Sequence, residues 1–238
     1  MNTTAFLLIA AVSFTVADMS ATAAERTKKA AANYKPAINP AEFTNVVDNP
    51  FFPLVPGTTF VFEERDRRER RENKVTVTDE TKTVMGVKCV VVHDTLTLDG
   101  VLLEDTFDWY AQDNRGNVWY FGEATREFKP GGRVSKAGSW EAGVQGAQPG
   151  IIMQASPKPG EPYRQEYFVG EAEDMGQVTA TGETVTVPFG TMKDCVRTKD
   201  WSLLESGSEK KWYARGIGLV RAESTSGEVS TLVSITKK

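Results

Sequence analysis

The chain has 238 residues, with 28 Lys and Arg against 32 Asp and Glu, a formal charge of −4 and a single histidine. A chain this close to neutral has no general attraction for nucleic acid or an anionic membrane surface, so neither is expected as a partner. One histidine and two cysteines supply too few soft ligands for a zinc site, and nothing in the sequence calls for a metal or a cofactor.

Residues 1–24 have the pattern of a signal peptide. An apolar run from Phe6 to Val16 is followed by small residues at Ala21, Thr22, Ala23 and Ala24, and charge begins at Glu25. The run is too short to cross a bilayer, and no later run approaches that length. A soluble protein, secreted or periplasmic and without a membrane span, is expected. Residues 25–41 are expected to be a flexible N-terminal segment, and residues 42–238 a single domain.

From residue 42 onward the pattern is that of strands. Val75, Val77 and Thr81 alternate with polar residues, and Val87 to Leu98 is rich in β-branched side chains. Asp99-Gly100 predicts a tight hairpin turn into Leu102 to Ala111, and the turn Asp113 to Gly116 leads into Val118 to Gly122. Ser206-Gly207 and Arg215-Gly216 punctuate the second half in the same way. The mixed-charge run Arg65 to Lys74 lies between two strands and reads as a solvated hairpin. Between the halves, Lys129 to Pro162 is rich in Gly and Pro and reads as a connecting loop. Its apolar Trp140, Ile151, Ile152 and Met153 suggest that it acts as a lid.

The halves repeat each other. Pro56-Gly57 recurs as Pro159-Gly160, Val75-Thr76 as Val178-Thr179 and Glu80-Thr81 as Glu183-Thr184, all at an offset of 103. The series continues with Cys89-Val90 against Cys195-Val196 and Trp109-Tyr110-Ala111 against Trp212-Tyr213-Ala214. The expected fold is therefore all-β. It is a duplicated antiparallel meander, with repeats over about 42–127 and 150–236, wrapped as one closed or half-open β-barrel.

Candidate chemistry is sparse. Cys89 and Cys195 permit one disulfide or two buried thiols, and the sequence leaves both open. His93, with Asp105 or Asp108 on the following strand, is the acid–base set an enzyme reading would use. A hydrogen-bonded strand histidine is the alternative reading. The carboxylates Glu104, Asp105, Asp108 and Glu123, or Glu171, Glu173 and Asp174, fit a solvated sheet face better than a catalytic or calcium-binding site. No Gly-x-Ser-x-Gly elbow is present. The aromatic residues are more numerous: Trp109, Tyr110, Trp119, Trp140, Trp212 and Tyr213 are the candidates for contacting a lipid-like or other apolar small molecule held inside the barrel, with Trp140 as a gate.

Two stretches carry a resemblance. Asn49-Pro50-Phe51-Phe52-Pro53-Leu54-Val55-Pro56-Gly57 and Asp108-Trp109-Tyr110-Ala111-Gln112-Asp113, the latter continuing through Gly116-Asn117-Val118-Trp119-Tyr120-Phe121-Gly122-Glu123, resemble an uncharacterised family of secreted bacterial β-proteins. That resemblance implies an exported β-protein and brings no activity with it. More loosely, the Trp-Tyr-Ala close of each half, followed after four residues (first half) or three (second half) by Gly-x-Val, is similar to periplasmic half-open barrels of the lipoprotein-carrier type. Those proteins hold an acyl chain in an apolar cavity.

Overall fold

In a computed structural model of the chain, residues 34–66 and 69–238 are described. The expected signal peptide lies outside them, as do residues 25–33. The described chain is all-β, with a single 3-10 turn at Pro40–Glu42. The strands of the first half are β1 (Phe43–Thr44), β2 (Thr58–Arg65), β3 (Arg70–Val84), β4 (Val87–Leu98), β5 (Val101–Asp113) and β6 (Val118–Lys129). The central segment adds β7 (Arg133–Ser135), β8 (Trp140–Glu141), β9 (Gln148–Met153), β10 (Tyr163–Arg164) and β11 (Glu166–Tyr167). The second half supplies β12 (Asp174–Val187), β13 (Gly190–Ser202), β14 (Glu209–Ala214), β15 (Gly218–Ser224) and β16 (Val229–Lys237).

These strands form one antiparallel sheet in the order β10-β12-β13-β14-β15-β16-β2-β3-β4-β5-β6-β9-β11. Its two ends, β10 and β11, are separated in sequence only by Gln165, so the sheet curls into a nearly closed barrel. Apart from the Pro-Gly pair, which precedes β2 and β10, the matched segments fall on successive strands, β3 to β6 in the first half and β12 to β15 in the second. The C-terminal strand β16 then pairs with β2, joining the meanders edge to edge.

Local sequence explains the turns. Asp99 and Gly100 have φ of 51° and 79°, and Met85 and Gly86 have φ of 50° and 79°, the paired positive values of a two-residue turn that matches strand twist. The mixed-charge run forms the expected hairpin of β2 and β3, but Arg71 turns inward and donates to Glu228 at 2.8 Å. The segment expected to be flexible is anchored from Tyr34 on. Its hydroxyl donates to the Pro149 carbonyl at 3.0 Å and its ring meets Tyr167 edge-on.

The central segment is not a free loop. Strands β7, β8 and β9 all pair with β6, so the Gly/Pro-rich stretch extends the sheet instead of lying over it. The thiols are both free and buried in separate apolar clusters, Cys89 with Val90 and Trp109, Cys195 with Phe62 and Leu232. The disulfide alternative is thereby replaced by two unpaired thiols.

Both faces are buried over residues 108–113 of β5 and 118–123 of β6, which their consecutive rings require. Phe43 of β1 packs edge-on against Trp119 and Phe121, while Trp140 packs edge-on against Tyr120.

Candidate functional site: an apolar cavity with an acidic floor

The segment Asn49 to Gly57 closes one end of the barrel. Asn49 donates through Nδ2 to the carbonyls of Gly116 and Gln154, and its Oδ1 accepts from the Phe51 amide. The Gly216 amide donates to the Pro50 carbonyl at 2.7 Å. The segment thus ties the β5–β6 turn to the β14–β15 turn, and in doing so it points Phe52 and Leu54 at the interior.

Behind this plug lies a cavity of about 90 Å³. Room for one water needs only about 10–15 Å³, so the space is several waters large. Most of its wall is apolar, with Leu54, Phe60, Phe62, Val92 and Leu219 among the contributors. A second, outer hollow of about 310 Å³ shares Pro53, Phe60 and Ile217 with it and is also lined by the exposed Phe189 and Lys237. An elongated apolar body could occupy the outer hollow and reach inward along Phe60.

The inner end of the cavity is different. Asp94 of β4, Asp108 of β5 and Lys211 of β14 all line it. Strand parity places them there: Val92 and Asp94 share a face, as do Asp108 and Tyr110. Asp94 is 6% exposed; its Oδ1 accepts from the Asn73 amide, and its Oδ2 has no hydrogen-bond partner in the protein. Burial, reinforced by the negative charges of Asp108 and Glu104, pushes the Asp94 carboxyl well above the usual carboxylate range. Asp108 accepts from the Tyr120 hydroxyl at 2.7 Å, and burial still pushes its pKa up to about 7. Glu104 is likewise pushed up to about 7 by burial. Glu64, Glu123 and Glu166 are all raised well above normal, burial being the main cause in each. The Lys211 ammonium is paired where it stands, with Asp200 and Glu209 each 3.2 Å from its Nζ.

Of the aromatic candidates, Tyr110 and Tyr213 line this cavity. The others are occupied elsewhere. Trp109 carries the Lys82 ammonium 3.3 Å above its ring, and Trp119 donates to Asp113 at 3.0 Å. Trp212 donates to Glu183 at 2.6 Å. Trp140 is a buried residue of β8, so it packs the core and does not line the cavity as a gate would.

His93 and Asp105 do meet. Nε2 of His93 lies 2.6 Å from Oδ1 of Asp105, Arg126 donates to the other oxygen, and the imidazole stacks on Phe107. Burial acts to raise the Asp105 pKa, and the hydrogen bonds from His93 and Arg126 outweigh it, leaving the carboxyl below its usual value. Asp108 lies on the opposite face of β5, so the three do not converge, and neither His93 nor Asp105 lines the cavity. The pair is a hydrogen-bonded cluster on the barrel exterior. Among the described residues, no three His, Cys, Asp or Glu side chains are gathered so as to hold a metal ion.

Sequence reasoning missed Asp94, Phe52 and Leu54 as site residues, and Phe60 and Phe62 were legible only as strand aromatics that pack a core or line a cavity. For Asp94 a signal existed: a lone carboxylate at even spacing from Val90, Val92 and Leu96 is a charge on an apolar strand face.

No family model matches the sequence, and no curated protein does. Two solved structures are similar in fold. One is a protein assigned as exported, with a YmcC-like fold, from Bacteroides fragilis; it is 19% identical with a TM-score of 0.47, over 79% of this chain and 99% of that one. The other, assigned as a lipoprotein, is from Parabacteroides distasonis; it is 16% identical with a TM-score of 0.46, over 78% and 98%.

Proposed function

We propose that the chain is an exported binding protein that holds a small hydrophobic or amphipathic molecule inside its β-barrel. The observation that carries this reading is the cavity behind the Asn49–Gly57 plug, walled by apolar side chains from both meanders and continued by the outer hollow. A filled structural core would have no such space, because protein interiors close-pack to leave few voids larger than a water. The signal-peptide pattern of residues 1–24 supports export.

The test is to blunt the cavity from within. Leu219 is half-buried on its wall, and Leu219→Trp would place an indole in the space. An apolar fluorescent probe such as N-phenyl-1-naphthylamine should bind the unaltered protein with a micromolar dissociation constant, and about ten-fold or more weakly to the variant. Equal binding to both, with the variant folded by circular dichroism, would show that the cavity is not the binding site.

A further inference from the structure

The cavity has an apolar wall and an acidic floor, and the imbalance at that floor points to the head group of its ligand. Asp94 and Asp108 face the cavity, and the lining residue Lys211 is held by Asp200 and Glu209. Asp94 lines the cavity, and its Oδ2 is buried with no hydrogen-bond partner, although unpaired polar atoms in an interior are costly. Glu64 of β2 and Glu104 of β5 add further carboxyls close enough to act on Asp94.

Resting on the reading of this cavity as a ligand site, we propose that it takes an amphipathic cation, an ammonium or protonated amine on an aliphatic or aromatic body. The cation sits against Asp94 and Asp108 while the body lies along Phe60, Phe62 and Leu219. An ammonium beside Asp94 and Asp108 would draw both carboxyls into their ionised forms and pair with them, supplying hydrogen-bond donors and a positive charge in a region of low dielectric. A carboxylate or phosphate head would gain no ion pair, because the cation on the wall, Lys211, is already paired with Asp200 and Glu209, and a neutral alcohol would gain the apolar contact alone.

Octylamine, octanol and octanoate share one tail and differ in head charge near neutral pH, octylamine being protonated as a lysine is. Their binding to the full protein can be followed by two-dimensional NMR titration at pH near 7.5. Octylamine should bind about ten-fold tighter than octanol, and octanoate weakest. In Asp94→Asn the octylamine-to-octanol ratio should fall toward one. Equal or tighter binding of octanol or octanoate would overturn the cationic assignment and leave the binding-protein reading standing. A ratio unchanged in D94N would overturn the role given to Asp94. Failure of all three to bind would remove the ligand site itself, and this inference with it.

Discussion

Asn49 shows how one side chain can hold a plug in place. It is almost fully buried, and its amide bridges Gly116, Gln154 and Phe51 while its own N–H donates to Gln112. Asn49→Ala would leave two carbonyls and one amide without partners in a region closed to water. The loss should be about 3 kcal/mol, measurable as a lowered urea midpoint with an unchanged slope. The same variant should loosen Phe52 and Leu54 and weaken binding of the apolar probe. A change below about 0.5 kcal/mol would mean that the plug is held by its apolar contacts alone. The Asn-Pro-Phe-Phe-Pro run was visible in the sequence, but only as a motif. Its partners, Gly116 on the β5–β6 turn and Gln154 just after β9, lie 67 and 105 residues away, and nothing local to Asn49 names them.

At the level of elements, what could be read in advance was what short-range chemistry decides. Asp99-Gly100 demands a turn with positive φ, and the β-branched run before it demands a strand; both are found where the pattern places them. The stretch from Lys129 to Pro162 was opaque because Gly and Pro signal turns, whereas here a glycine serves close approach. A Cβ on Gly150 would lie 2.4 Å from the Gln165 carbonyl carbon, and one on Gly176 would lie 2.7 Å from its Nε2. Gln165 sits between β10 and β11, where the two ends of the sheet meet, so the seam closes only because both neighbours lack side chains. Gly150→Ala must push backbone against backbone. It should cost about 3 kcal/mol or more and raise amide exchange across β9, β10 and β11 before it affects β3 and β4. Gly176→Ala, which meets mainly the mobile end of a side chain, should cost less. If both cost the same small amount, the seam is looser than its geometry implies.

Across the whole molecule, the interior acids set the pH response. A buried carboxyl whose folded pKa lies above its unfolded value binds its proton more tightly in the folded chain. The stability it contributes is complete below the unfolded value near 4 and is lost as pH rises through the folded one. Glu104 and Asp108 complete that loss near pH 7, and Asp174 and Glu228 near pH 6. Asp105 and Asp113 act in the opposite sense. Burial alone would raise both, but their hydrogen bonds, from His93 and Arg126 and from Asn117 and Trp119, hold them below 3.8, so their contribution is lost only in stronger acid. Stability to urea should therefore peak near pH 4 to 5 and fall by about 2 kcal/mol or more by pH 8, since a tenfold difference in proton affinity between folded and unfolded chain is worth about 1.4 kcal/mol. Asp94→Asn should flatten that alkaline fall, since an amide has no proton to lose. A bound cation should flatten it as well, by giving the ionised floor a partner, whereas a neutral ligand would shift the curve without changing its slope. A curve that rose from pH 5 to pH 8 would mean that the floor carboxyls are already ionised and paired, and the potential that selects a cation would be absent.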